Sequence, residues 1–135
     1  MAKYVFPAVF RSAPQEDGGY TVKFPDIPNC FTEGESLADA LEAAADALCL
    51  MLYDMEESGD AIPVASSLSD IQTDNGAIIS LVACDTLEYR KFYDKKAVKK
   101  TLTIPNWLNT LAERADVNFS AVLQEALISK LNLQQ

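Results

Sequence analysis

Alternating apolar and polar positions predict short strands in the first third of the chain. Residues 4–10, 20–24 and 30–33 are rich in aromatic and β-branched side chains and are separated by turn residues. Gly18-Gly19 predicts a hairpin between the first two strands, and Pro25 and Pro28 predict a rigid loop before the third. The chain is therefore expected to begin with a small antiparallel sheet.

A repeat of apolar side chains at three- and four-residue steps follows and predicts one long helix. Ser36 suits its N-cap, and Gly59 suits a left-handed C-cap. The stripe expected to line the core is Leu37, Ala40, Leu41, Ala44, Leu48, Met51, Leu52 and Met55. Residues 77–84 form a near-continuous apolar run, which predicts a well-buried strand. Residues 85–96 are expected to form a connector, or a short strand and helix.

The last third predicts one strand and two short helices, too little to fold alone. In the strand, residues 99–104, side chains alternate between a polar face and an apolar face, and Pro105 ends it. Pro105 also starts the first helix, and Ser120 is expected to cap the second, residues 121–131. The polar face carries Lys99, Thr101 and Thr103.

A lone strand with an unpaired edge needs a partner, and a second copy of the chain is the simplest one. Two such strands form a ribbon that fits the DNA major groove and presents six polar side chains. The alternative is that this tail only dimerises and that its lysines serve solubility. The side chains predicted to form the dimer core are Leu102, Ile104, Trp107, Leu123 and Leu127.

Charge divides the chain in the same place. The net charge of −9 combines −12 over residues 1–90 with +3 over residues 91–135. A basic tail favours phosphate, whereas an acidic body is repelled by DNA and better suits a basic protein partner. The acids predicted to contact that partner lie around the hairpin, the proline loop and the helix start: Glu16, Asp17, Asp26, Glu33, Glu35 and Asp39. The alternative is that this acidic surface serves only solubility.

Composition excludes several kinds of site. The chain has no histidine, so Ser-His-Asp, Cys-His and zinc-hydrolase centres cannot be built from it. The chain has three cysteines that lack metal or disulfide spacing and are predicted to be buried free thiols: Cys30, Cys49 and Cys84. We expect no cofactor, no metal and no enzymatic activity. With no secretory signal and no membrane-spanning run, a cytoplasmic location is expected.

Two stretches of sequence carry a family resemblance. Residues 6–10 and 18–34 give a tyrosine strand, a Pro-Asp-x-Pro loop and a Cys-Phe strand, and a Ser36-led helix follows. This order resembles the HicB antitoxin family. Residues 100–105 and 118–120 resemble the ribbon-helix-helix module that one HicB branch carries.

The resemblance implies an α+β fold. A truncated RNase H-like domain, residues 1–90, would hold a small antiparallel sheet and one long helix. A ribbon-helix-helix module, residues 96–135, would dimerise or form a higher homo-oligomer. The first domain would bind and neutralise a HicA-type toxin, a small basic ribonuclease that cleaves mRNA, and the second would repress the toxin–antitoxin operon by binding operator DNA.

The resemblance also assigns roles to residues of the tail. Lys99, Thr101 and Thr103 match base-reading positions of the ribbon. The residues that match the module's phosphate clamp, which contacts the DNA phosphates, are Phe119, Ser120 and Ala121. Two of the three readers are threonines, whose readout is less sharp than that of Arg, Asn or Gln.

Two other functions remain open at this point. One is a repressor with the same tail whose first domain senses a small ligand. The other is a metal-dependent nuclease, which is disfavoured because that chemistry needs converging carboxylates and residues 4–10 contain none.

Overall fold

The chain divides into two compact units, Met1–Lys96 and Ala97–Gln135. A computed structural model describes residues 2–12, 18–73 and 76–133. The first unit holds β1 (Lys3–Ser12), β2 (Tyr20–Lys23), β3 (Phe31–Gly34), α1 (Leu37–Ser58), β4 (Ala77–Asp85) and α2 (Thr86–Tyr93), with a 3₁₀ turn at Leu68–Asp70. The second unit holds α3 (Asn106–Arg114) and α4 (Phe119–Lys130). The α+β class is confirmed.

The four strands form one antiparallel sheet in the order β3-β2-β1-β4. β1 pairs along its length with β4, and its second half also pairs with β2. Pro7 lies opposite Leu81 of β4 but before the stretch that pairs with β2. The proline therefore lies in the half of β1 where the ladder to β2 is absent, which suits a residue that cannot donate a backbone hydrogen bond.

Helix α1 packs on one face of the sheet and completes the core. Ala40, Ala44, Leu48 and Leu52, spaced four residues apart, are fully buried against Phe6, Ala8, Phe10 and Val22 of the strands. Leu37 and Leu41 are each 40% exposed, so the predicted stripe was too wide at the start of the helix. The caps of α1 are confirmed: Ser36 Oγ accepts from the Asp39 N–H, and Gly59 has a φ of 75°.

The prediction that residues 77–84 form a well-buried strand was wrong. β4 is an edge strand, and only Val82 and Cys84 are buried. Ile78 and Leu81 are 48% and 54% exposed. An uninterrupted apolar run looks the same in sequence whether the strand is central or at an edge. Here α1 covers only part of one face of β4.

The uncertain connector at residues 85–96 contains helix α2. Asp85 caps it by accepting hydrogen bonds from the N–H groups of Leu87 and Glu88. The helix ends at Tyr93, and the chain continues without regular structure to the start of α3. The sequence signal was therefore a helix cap at Asp85.

Over residues 97–133, the second unit has two helices and no strand. Residues 99–104 do not pair with another strand of the same chain. The ribbon expected from two copies therefore stays a prediction. The predicted cap of the last helix was wrong by two residues. Asn118, not Ser120, caps α4, since its side chain accepts from the Ala121 N–H. The turn before α4 contains Asp116, whose φ of 55° is in the left-handed region.

Gly34 sets the approach of β3 to α1. A Cβ built there would lie 2.4 Å from the Ala40 backbone nitrogen, closer than any real contact. We expect Gly34→Ala to lower the free energy of unfolding by about 1–3 kcal/mol, because helix and strand must separate. Urea unfolding followed by circular dichroism measures this.

The control for Gly34 is Gly59→Ala. Gly59 has open space around its Cβ position but a positive φ, so only backbone strain of about 1 kcal/mol is expected there. A Gly34→Ala protein as stable as the parent would show that the close approach of β3 to α1 has no effect on the free energy of unfolding.

Candidate functional site

The acids predicted to contact a protein partner fall into three groups. Glu16 and Asp17 lie outside the described residues. Glu33, at the edge of the sheet on β3, and Glu35 and Asp39, at the start of α1, are all exposed within one short stretch of chain. This cluster follows from the sharp β3-to-α1 connection at Gly34. It offers three carboxylates to a basic surface.

Asp26 has a different environment. Its carboxylate accepts hydrogen bonds from both the backbone N–H and the hydroxyl of Ser66. These bonds tie the 61–71 segment to the proline loop after β2. Asp26 therefore has a structural task, and its two oxygens are already engaged.

A cluster of tyrosine rings lies beside α1 in the first unit. The rings of Tyr53 and Tyr89 are 5.4 Å apart, and those of Tyr89 and Tyr93 are 4.6 Å apart. Between α1, α2 and β3 lies an open groove of about 410 Å³. Its lining consists of Thr32, Ala43, Asp46, Ala47, Leu50, Tyr89 and Tyr93.

Sequence reasoning did not find this aromatic groove. The available signal was the four-residue spacing of Tyr89 and Tyr93, which places both rings on one face of a helix. That signal depends on recognising α2, which the sequence left as a connector. Leu50, on α1, is 48% exposed and gives the groove an apolar wall.

A buried carboxylate holds α2 in place next to this groove. Glu56, with 9% of its side chain exposed, accepts hydrogen bonds from Tyr4, Thr86 and Arg90. Thr86 is fully buried; its hydroxyl also accepts from the Ala2 N–H, and its own N–H donates to the Ala2 carbonyl. One carboxylate thus joins the end of α1, the start of β1 and the first turn of α2.

Arg90 completes this arrangement. Its guanidinium pairs with Glu56 and Glu57 and lies 4.6 Å from the centre of the Tyr53 ring. The hydrogen bond to Glu57 is the main cause that raises the pKa of Arg90. Arg90 Nε is buried without a hydrogen-bond partner, which is tolerable because the other guanidinium nitrogens are charge-paired.

Burial tends to raise the pKa of Glu56, but its hydrogen bonds outweigh burial and hold that pKa at about 2, below its ordinary 4.5. A depressed folded-state pKa stabilises the fold above pH 4.5, and this contribution is lost as pH falls toward 2.

Glu56→Gln should therefore lower the free energy of unfolding by about 3 kcal/mol at neutral pH and by much less near pH 2.5. Urea midpoints measured at both pH values test this. Glu57→Gln is the control, because its side chain is 52% exposed and its ion pair is worth about 1 kcal/mol or less. An equal loss of unfolding free energy for Glu56→Gln at both pH values would contradict a Glu56 pKa of about 2.

The second unit exposes most of its apolar side chains. No residue of α3 or α4 is buried, and Leu102, Trp107 and Leu131 are each more than 60% exposed. Of the predicted dimer core, Leu123 is the most covered, and it remains partly exposed. A groove of about 480 Å³ runs between the extended segment and α4. It is lined by Lys100, Leu102, Ile104, Asn109, Phe119, Ser120, Val122, Leu123 and Ala126.

The predicted DNA-contacting residues are accessible in this unit. Lys99, Thr101 and Thr103 are exposed along the extended segment before α3. Phe119, Ser120 and Ala121 form the first turn of α4. Because the Ala121 N–H donates to Asn118 Oδ1, a phosphate at this turn would meet the N–H groups of Phe119 and Ser120 most readily.

Residues 2–12, 18–73 and 76–133 hold neither a metal-binding cluster nor a membrane-spanning helix. Within those ranges no cluster of three or more Cys, Asp or Glu side chains could hold a metal ion. No helix in the same ranges is long and apolar enough to cross a membrane.

The described residues thus form an acidic α+β unit and a tail with an uncovered apolar face. Residues 6–126 match a family model described as the HicB-like antitoxin of bacterial toxin–antitoxin systems. The chain belongs to this family.

Individual relatives agree with the family match. The chain is 42% identical over 64 residues to antitoxin HicB of Escherichia coli K12, covering 47% of this chain and 45% of that protein. It is 36% identical over 83 residues to antitoxin HicB 1 of Photorhabdus laumondii, covering 62% and 52%. The chain thus spans about half the length of these curated relatives.

Nearly the whole chain is matched by a solved structure that is 28% identical to it. It is a chain of a toxin–antitoxin complex from Streptococcus pneumoniae, with a TM-score of 0.60 and 28% identity. The match covers 95% of this chain and 99% of that one.

Proposed function

We propose that this chain is an antitoxin that neutralises a HicA-type mRNA interferase and represses its own operon as a DNA-bound dimer. Membership in the HicB-like antitoxin family is the observation that carries the proposal. The chain from Streptococcus pneumoniae comes from a toxin–antitoxin complex, which supports a toxin as the partner here. In this proposal the chain has no catalytic role and needs no cofactor.

The first unit is the proposed toxin-binding part, with a truncated RNase H-like fold. Its charge supports this role, because residues 1–90 carry sixteen acids against four Lys and Arg. Such a surface would attract a basic ribonuclease, and specific carboxylates would fix the position in which the ribonuclease binds. Glu33, Glu35 and Asp39 are the best placed of the predicted acids, since they are exposed together. Asp26 is less suited, because Ser66 already occupies its oxygens.

The second unit is the proposed dimerisation and DNA-binding part, a ribbon-helix-helix module. A unit of two short helices with no buried side chain needs a cover, and a second copy supplies one of matching shape. If residues 99–104 of two chains paired, Leu102 and Ile104 would be buried over the groove between the extended segment and α4. Each apolar side chain fully buried in this way contributes about 1.5–3 kcal/mol.

Such a pairing also orients the polar side chains. With Leu102 and Ile104 turned inward, alternation turns Lys99, Thr101 and Thr103 outward on the ribbon. The first turns of both copies of α4 would flank the ribbon and meet phosphates through backbone N–H groups. Threonine hydroxyl and methyl groups would then contact base edges.

The toxin surface is tested with Glu33→Lys/Glu35→Lys. We expect the Kd for the co-expressed toxin to rise about 10- to 100-fold, because two attractive charges become repulsive. Isothermal titration with refolded toxin gives the Kd, and circular dichroism checks the fold. Asp39 is left unchanged because its charge also stabilises the first turn of α1.

The matched control is Glu42→Lys/Asp54→Lys, which makes the same change of net charge on exposed positions of α1. We expect this pair to weaken binding only slightly. Equal losses for the two pairs would contradict a specific site at β3 and α1. Unchanged toxin binding by Glu33→Lys/Glu35→Lys would do the same.

Base reading is tested with Thr101→Ala/Thr103→Ala. We expect operator affinity to fall at least about tenfold while affinity for unrelated DNA changes little, because hydroxyl contacts to bases are lost and phosphate contacts remain. Fluorescence anisotropy with both DNAs measures the two affinities. Light scattering should report a dimer for the variant as for the parent.

Lys99→Ala and Lys100→Ala form a charge-matched pair for the same assay. Alternation places Lys99 on the polar face and Lys100 on the face that lines the apolar groove. The larger loss of operator affinity is therefore expected for Lys99→Ala. A monomeric parent protein at micromolar concentration, or equal effects of the two lysines, would count against the ribbon.

A further inference from the structure

None of the proposed contacts uses the aromatic groove between α1, α2 and β3. The groove has a volume of about 410 Å³. Thr32 of β3 lines it, and the next residue along the strand, Glu33, is one of the acids proposed to contact the toxin. The groove therefore begins at the same edge of the sheet as those acids.

The two helices contribute very different side chains to this groove. Ala43 and Ala47, one turn apart on α1, add only methyl groups. Tyr89 and Tyr93, one turn apart on α2, add two rings whose centres are 4.6 Å apart. Tyr93 is 63% exposed, so its ring is accessible from solvent. Exposed aromatic side chains beside an apolar groove are typical of protein-binding surfaces.

Contacts within the first unit hold these rings in position. Thr86 and Arg90 bind α2 to the Glu56 carboxylate of α1. Tyr89 also packs against Tyr53 of α1, with ring centres 5.4 Å apart. A side chain that is already ordered loses little conformational entropy when a partner binds, so its contacts contribute more to affinity.

The aromatic side chains around the groove already bind cations of this chain. The Arg90 guanidinium lies 4.6 Å from the centre of the Tyr53 ring, and Glu56 pairs with the same guanidinium. The Lys95 ammonium lies 5.8 Å from the centre of the Phe92 ring. A cation over an aromatic ring, with a carboxylate beside it, is therefore an arrangement that this surface already contains.

Asp46 supplies a carboxylate to the groove itself. It is exposed and shares the lining with Tyr89 and Tyr93. Among residues 2–12, 18–73 and 76–133, no lysine or arginine pairs with it. An arginine side chain suits this combination, because its guanidinium stacks on a ring and donates two hydrogen bonds to one carboxylate. Its methylene groups could pack on Leu50, which is half-exposed.

We propose that the aromatic groove receives an arginine side chain of the basic toxin, which stacks on Tyr93 and pairs with Asp46. This inference rests on the proposed function, because it takes the toxin as the source of the arginine. The charge of −12 over residues 1–90 favours a basic partner over a second copy of the same unit. The groove would fix the orientation of the bound toxin, and Glu33 and Glu35 would add attraction beside it.

The stacking ring is tested with Tyr93→Ala in the full chain and the co-expressed toxin. We expect the Kd to rise about tenfold, because the cation loses its aromatic face. Tyr93→Phe keeps the ring and should bind like the parent. Phe92→Ala is the matched control, since Phe92 is 69% exposed but does not line the groove. It should change the Kd less than about threefold. Isothermal titration gives the Kd, and circular dichroism checks the fold.

The carboxylate is tested with Asp46→Asn, which should raise the Kd about three- to tenfold. Asp70→Asn is the control, because it removes the same charge from an exposed residue of a different groove. If one arginine contacts both side chains, Tyr93→Ala/Asp46→Asn should weaken binding by less than the product of the two single effects. A double variant that reaches the full product would overturn a site for a single arginine.

The arginine is identified by changing each arginine of the toxin to lysine in turn, which keeps the charge but removes the planar guanidinium. One of these toxin variants should bind the parent about tenfold more weakly, yet bind Tyr93→Ala as well as the unchanged toxin does. Toxin binding that no groove variant alters would overturn this inference and leave the proposed function standing. A parent chain that does not bind the toxin would overturn both.

Discussion

The apolar face of the second unit is the feature on which the functional interpretation depends. Leu102, Trp107 and Leu131 remain mostly in water in a single chain, and neither α3 nor α4 buries a residue. A unit of this size cannot offset the conformational entropy of its backbone without a larger core. In the proposed dimer, a second copy of this unit supplies that core.

The first unit has the opposite character, because its core is complete within one chain. Four residues of α1 are fully buried on the sheet, and Glu56 joins α1, β1 and α2 through hydrogen bonds. Removing one partner of such a network leaves a buried charge or polar group unsatisfied, which costs more than the bond itself contributes. This self-sufficient unit can present exposed carboxylates and aromatic rings at fixed positions.

Local signals in the sequence predicted most of the fold. Ser36 and Gly59 mark the ends of α1 because caps act within one turn of the helix. The position of β4 at the sheet edge was not predictable in this way, since strand order is set by tertiary packing. The start of α4 was misplaced because Asn118 and Ser120 are both good N-cap residues, and only the structure shows that Asn118 accepts from the Ala121 N–H. Asp26 looked available because its partner, Ser66, is 40 residues away.

Charge is divided along the chain, so the two proposed partners are attracted by charges of opposite sign. The acidic residues of the first unit attract a basic protein and repel phosphate, whereas the tail carries the excess of lysine. Both attractions weaken with salt, because surface charges are screened over about 8–10 Å at physiological ionic strength. They do not compete for the same side chains, since Glu33 and Glu35 belong to one unit and Lys99 to the other. In the proposed function, one chain would therefore recognise toxin and operator through independent sets of residues.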